Sequence, residues 1–252
     1  YSSGLAPSLN LNDNRFRPIQ DLSLLAMGAS DFSYPNVTPL PAVSLELPTI
    51  RKVWTGENIT DSQNYINENF TLEQIKNNLS RQPYGIVHFG THGEFNHTET
   101  ENSFIQLHNS RLNLEEVRQL GLNDPLVELM VLSACETAFG NEIAELGFAG
   151  LAVQAGVKTA MGSVWQVSDT GTLALMTDFY SQLKSAPIKA EALRQAQLNL
   201  LRGKVYKAED GNFIVTPNLS VSLEGLPENS RQRENFSHPF YWAPFTMIGN
   251  PW

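Results

Sequence analysis

A chain of 252 residues with 41% hydrophobic and 17% charged side chains can bury one sizeable α/β core, with or without an appendage, and is too apolar to stay disordered. Its formal charge of −9 argues against nucleic acid as the main partner, which needs clustered Lys and Arg, and leans toward basic peptides or proteins as ligands. A single cysteine rules out an intramolecular disulfide and suits a reducing, cytoplasmic compartment, and no apolar run is long enough to cross a membrane. The chain opens on Tyr1-Ser2-Ser3-Gly4 without an initiator Met, so it is expected to be cut from something longer.

Residues 1–20 are rich in Asn, Ser and Pro and read as an N-terminal arm or linker before a domain spanning 21–252. The apolar run 22–29 predicts a buried strand. Pro35, Pro39, Pro41 and Pro48 punctuate the next stretch, leaving room for a short helix toward Trp54. Thr71 caps a helix carrying Leu72, Ile75 and Leu79. Residues 84–89 predict a strand that breaks into Gly90-Thr91-His92-Gly93, and 104–107 a further short strand. Asn113 caps a helix with Leu114, Val117 and Leu120, stopped by Gly121. The continuous run 129–132 marks a strand covered on both faces, ending at Ser133-Ala134-Cys135. A small-residue helix is expected over 146–155, a strand over 158–164, and amphipathic helices over 169–183 and 190–201. Residues 203–237 lose periodicity and collect Gly, Pro and Asn, which reads as a loop insertion, before a final strand near 245–248. Strands alternating with helices imply a mostly parallel sheet with helices on both faces.

In such sheets ligands sit beyond the carboxyl ends of the strands. One predicted strand ends at His92 and another at Cys135, so both reach the same rim, as a thiol and its base must. A neighbouring imidazole favours the thiolate. The His lies 43 residues upstream of the Cys, close to the about 50 residues of caspases and opposite in order to papain-like enzymes. His88, inside its strand, reads as a hydrogen-bonded core histidine, whereas His97, His108 and His238 show no ligand spacing, so no metal site is expected. Glu136 reads as an exposed turn carboxylate.

Four blocks of residues sharpen this. Val87-His88-Phe89-Gly90-Thr91-His92-Gly93 and Leu132-Ser133-Ala134-Cys135-Glu136-Thr137 resemble the two signatures of the CHAT family, caspase-like domains found behind tetratricopeptide repeats, especially in bacteria. Val164-Trp165-Gln166-Val167-Ser168-Asp169 is similar to a third family block, and the stretch from His238 to Asn250 resembles the family's C-terminal end. The resemblance implies a caspase/hemoglobinase-like α/β three-layer sandwich and a cysteine endopeptidase that acts on protein or peptide substrates without a cofactor. It implies Cys135 as nucleophile and His92 as acid and base, working as a dyad, with the backbone N–H groups of Gly93 and Cys135 as the oxyanion hole. It also implies a tetratricopeptide-type region outside this chain. Separases share the fold and a similar Trp-x-Val-x-Asp block, whose Asp binds an arginine before the cut bond. Asp169 is accordingly expected at the base of a specificity pocket walled by Trp165, although a helix cap for Asp169 and core packing for Trp165 serve equally as structural roles. The other reading is a catalytically silent CHAT domain used as an interaction module.

Overall fold

The computed structural model describes residues 16–56, 65–96, 99–133, 136–137, 147–209, 211–216, 219–228 and 235–252. Its elements in chain order are β1 (Leu24–Gly28), α1 (Val43–Thr55), α2 (Leu72–Arg81), β2 (Ile86–Gly90), β3 (Gly93–Phe95), β4 (Phe104–Gln106), β5 (Arg111–Asn113), α3 (Leu114–Arg118) and β6 (Leu129–Leu132). They continue with β7 (Glu136–Thr137), α4 (Gly147–Gln154), β8 (Thr159–Ser163), α5 (Asp169–Leu183), α6 (Lys189–Leu201), β9 (Tyr206–Lys207), β10 (Asn212–Thr216), β11 (Leu219–Ser222) and β12 (Phe245–Gly249).

The apolar runs form a central sheet in the order β1-β2-β6-β8-β12. Its first four strands are parallel and β12 closes the edge antiparallel to β8. Side chains alternate between the faces, so β2 sends Ile86 to one core and Val87 and Phe89 to the other. The first core packs Leu47 and Ile50 of α1, Leu173 and Phe179 of α5, and Leu193 and Leu200 of α6. The second packs Ile75 of α2, Val117 of α3 and Ala152 and Val153 of α4. Coverage on both faces explains why every residue of β2 and β6 is buried. This is the α/β three-layer sandwich that the pattern of the sequence implies.

Local chemistry sets most boundaries. Thr71 Oγ1 accepts the N–H of Gln74 at 3.3 Å and starts α2. Asn113 and Glu116 form a reciprocal capping box on α3, which ends before Gly121 at φ 70°. Helix α1 runs longer than the prolines suggest, with Pro48 inside it. Proline removes one helical N–H bond, but Val43, Leu47, Ile50 and Trp54 bury one face of the helix, and that burial outweighs the loss.

Residues 203–237 differ from the expectation of an unpatterned loop. Their described parts hold an antiparallel three-stranded sheet in the order β11-β10-β9. Phe213, Val215, Val221, Leu223, Leu226 and Phe236 are buried in the same core as α5. Full burial of a Val, Leu or Phe is worth roughly 1.5–3 kcal/mol, enough in sum to fix this segment against the domain. The expected arm lies outside the described residues up to residue 15. Its end is docked: Ile19 is buried and Gln20 Nε2 donates to Ala186 O at 3.1 Å.

Candidate active site

Strands β2, β6 and β8 are parallel, so their carboxyl ends form one rim. His92 follows β2, Ser133 follows β6, and Trp165 and Asp169 follow β8. A second sheet, β5-β4-β3-β7, extends the rim, with β3 continuing from β2 and β7 from β6. Cys135 lies outside the described residues, but the chain on either side of it is described. Ser133 N–H donates to Phe89 O at 3.1 Å, and Glu136 pairs in parallel with Glu94. The residues bracketing the thiol are thus fixed against the residues bracketing His92. Gly90 allows the close approach of α1 to this corner, since a Cβ there would meet Val43 at 3.0 Å.

His92 is half-buried, and its Nε2 lies 2.8 Å from the carbonyl oxygen of Thr38. A carbonyl only accepts, so Nε2 carries the proton and Nδ1 keeps a lone pair. Nδ1 has no hydrogen-bond partner among the described residues. The ring of Phe32 packs against His92 with centroids 5.4 Å apart. Gln106 N–H donates to His92 O at 2.9 Å across β4. Successive backbone amides of a strand point to opposite edges, so the amide of Gly93 turns away from β4, toward β7. A cavity of about 170 Å³ opens beside His92 and Gly93. Phe104, Gln106 and Arg111 form its far wall.

Asp169 is the first residue of α5, but it does not cap that helix; Ser168 does, accepting Gly171 N–H at 3.2 Å. The carboxylate of Asp169 instead reaches the start of α1, where Oδ2 accepts Ala42 N–H at 2.7 Å. No second hydrogen bond to this carboxylate occurs among the described residues. Burial pushes its pKa up to about 7, against the lowering effect of the Ala42 amide, with a smaller upward push from Glu46. The short segment 38–42 is therefore held twice, by His92 at Thr38 and by Asp169 at Ala42. Trp165 is half-buried on the connection from β8 to α5.

His88 is fully buried and has a partner on each ring nitrogen. Its Nδ1 lies 3.1 Å from Tyr180 Oη and its Nε2 lies 2.8 Å from Glu46 Oε1. Burial, aided by Glu46, raises the Tyr180 phenol well above its ordinary pKa, so it stays protonated and donates to Nδ1. Nε2–H then donates to Glu46. Three residues of this region escape the sequence reading: Thr38, Glu46 and Tyr180. A tyrosine on a buried helical face is a legible signal, because its hydroxyl needs a partner. A backbone carbonyl such as that of Thr38 leaves no signal in the residue type.

His108 contacts Ser33 Oγ at 2.9 Å and Asp31 O at 3.0 Å, and His238 Nδ1 accepts Phe240 N–H at 3.2 Å. His97 lies outside the described residues. Among the described residues no three His, Cys, Asp or Glu side chains gather as a metal site.

The CHAT domain model matches residues 1–250 of the chain. None of the curated proteins matches it. Among solved structures, the chain is similar to the complex of Porphyromonas gingivalis RgpB pro- and mature domains, with a TM-score of 0.50 and 11% identity over 91% of this chain and 47% of that one. It is also similar to the Arg-specific cysteine proteinase gingipain R, with a TM-score of 0.49 and 11% identity over 91% of this chain and 46% of that one. The chain thus spans about half the length of these solved chains. At such identity the likeness concerns fold alone: a caspase-like α/β sandwich with a mostly parallel central sheet.

Proposed function

The chain belongs to the CHAT domain family, and from that premise we propose that it is a cysteine endopeptidase with Cys135 as nucleophile and His92 as acid and base. One observation carries the reading: Nδ1 of His92 has a lone pair and no partner among the described residues, while the chain on both sides of the only thiol is pinned beside it. Nδ1 takes the thiol proton as Sγ attacks the scissile carbonyl carbon, and the imidazolium is stabilised by the Thr38 carbonyl. The oxyanion accepts hydrogen bonds from the backbone amides of Gly93 and Cys135. His92 then gives its proton to the leaving amine, and water hydrolyses the acyl-enzyme by the reverse sequence.

Cleavage after arginine is part of the proposal. Asp169 offers a carboxylate oxygen beyond the one that holds Ala42, at the start of α5, the helix that follows β8, the strand next to β6. A guanidinium bound there favours the ionised form and draws the pKa below its value of about 7. Trp165 serves as a wall of the same pocket. The test is covalent labelling with a peptidyl-arginine fluoromethyl ketone, read by intact mass and peptide mapping. Modification of Cys135, absent in Cys135→Ala and slowed when the ketone carries Asp or Leu in place of Arg, is the expected result. An unmodified, folded protein would instead make the domain an interaction module.

A further inference from the structure

The cavity on the far side of His92 carries a second recognition element. Arg111 pairs with Gln106 across β5 and β4, and Gln106 is in turn bonded to His92. The three residues form one row across adjacent strands, and two strand spacings place Arg111 about 10 Å from His92. The guanidinium carbon of Arg111 lies 3.8 Å from the centre of the Phe104 ring and 5.0 Å from that of Tyr34. Gln106 Oε1 lies 3.5 Å from its Nε. The cation is therefore held in place by two aromatic rings, yet no carboxylate pairs with it among the described residues.

Along the rim the order is Asp169 after β8, Ser133 after β6, His92 after β2, then Gln106 and Arg111. A substrate with its arginine toward Asp169 has its leaving amine at His92, the group that protonates it. The residues beyond the cut bond continue toward Arg111. We propose that Arg111 and the cavity beside His92 form a leaving-side subsite for an acidic side chain, Glu or Asp, one or two residues after the cut bond. This rests on the peptidase reading above for its orientation. An extended chain advances about 3.3 Å per residue and a Glu side chain adds the remaining reach, so the distance suits the second residue. A guanidinium fixed by stacking loses little freedom on pairing, and its fork matches a carboxylate. Glu94 lines the same cavity and opposes an acidic ligand, so its charge tunes the preference downward.

The experiment measures binding of leaving-side peptides to the Cys135→Ala chain, by calorimetry, so that it needs no turnover. The peptides have a free amino terminus and carry Glu or the isosteric Gln at the second position. The acid-to-amide affinity ratio is expected at about three- to tenfold, falling to about one in Arg111→Gln and rising in Glu94→Gln. Arg111 and Glu94 are both exposed, so both variants should fold, and melting checks this. No preference for Glu, a preference that survives Arg111→Gln, or one that falls in Glu94→Gln overturns the subsite. Failure of the peptidase reading is a separate outcome, seen as unlabelled Cys135 in the wild-type chain.

Discussion

His88 and His92 stand four residues apart in one motif, and their environments separate them completely. Both carry a proton on Nε2, one directed at the Glu46 carboxylate and the other at the Thr38 carbonyl. The difference is at Nδ1. In His88 it accepts from Tyr180 inside a core with no solvent; in His92, half-exposed at the rim, it has no partner among the described residues. A histidine with both nitrogens occupied is structural, and one with an unoccupied lone pair at a half-exposed rim can take up a proton. What separates them is depth: His88 lies within β2, whereas His92 lies past its end.

The largest expected effect breaks this comparison from the His92 side. Cys135→Ala abolishes peptide cleavage, and His92→Ala lowers kcat/KM by about 10²–10⁴ while changing unfolding free energy by no more than about 1 kcal/mol. Activity assays on arginyl peptides and denaturant melts measure both. From the other side, His88→Leu strands Glu46 as a buried unpaired carboxylate and is expected to cost about 3–5 kcal/mol of stability. The double variant His88→Leu, Glu46→Leu should recover most of that, because an apolar pair leaves no carboxylate buried without its donor. A His88→Leu chain that melts like the wild type but does not cleave would reverse the roles.

Asp169 sharpens the comparison, because it holds the segment that aims His92. Asp169→Ala removes the acceptor of Ala42 N–H and should cost about 0.5–2 kcal/mol near pH 4, a cost that shrinks as pH rises because the variant has no carboxyl to titrate. Asp169→Asn keeps an acceptor without the charge. The folded carboxyl titrates near 7, above the ordinary value of 3.8, so the folded state binds its proton more tightly than the unfolded state. Wild-type stability from this group is therefore highest below about pH 4, declines as pH rises toward 7, and is level above it. The Asn variant lacks that decline, so thermal melts from pH 4 to 8 should show it gaining on the wild type. The arginine preference should weaken below pH 7 in the wild type and be lost in Asp169→Asn at all pH values. The smallest effect is Tyr180→Phe, which leaves His88 Nδ1 without its donor and is expected to cost about 1 kcal/mol with cleavage retained.

The order and type of most elements are legible in the residues. The run at 129–132 announces a buried parallel strand by being apolar throughout and the run at 86–90 by being apolar but for His88 and Gly90, and Thr71 and Asn113 announce helix starts through their side-chain oxygens. The segment 203–237 reads as a loop because its strands are short and interrupted by Gly and Pro. Phe213 and Val215 do alternate, but over too few residues to stand out. Helix α1 reads as short because local propensity counts Pro48, whereas only the folded chain brings a core against Leu47 and Ile50.

By itself the sequence determined the layered α/β architecture, the placement of His92 and Asp169 beyond strand ends, and the family blocks that name the candidate nucleophile. Only the tertiary structure decided which ring nitrogen of His92 is unoccupied, that Asp169 caps α1 and not its own helix, and that Glu46 and Tyr180 hold His88. The reason is physical. Strand and helix patterns follow from neighbours a few residues apart, but a proton's location and a carboxylate's partner depend on groups such as Thr38 and Ala42, brought close only when the sheet and its helices pack.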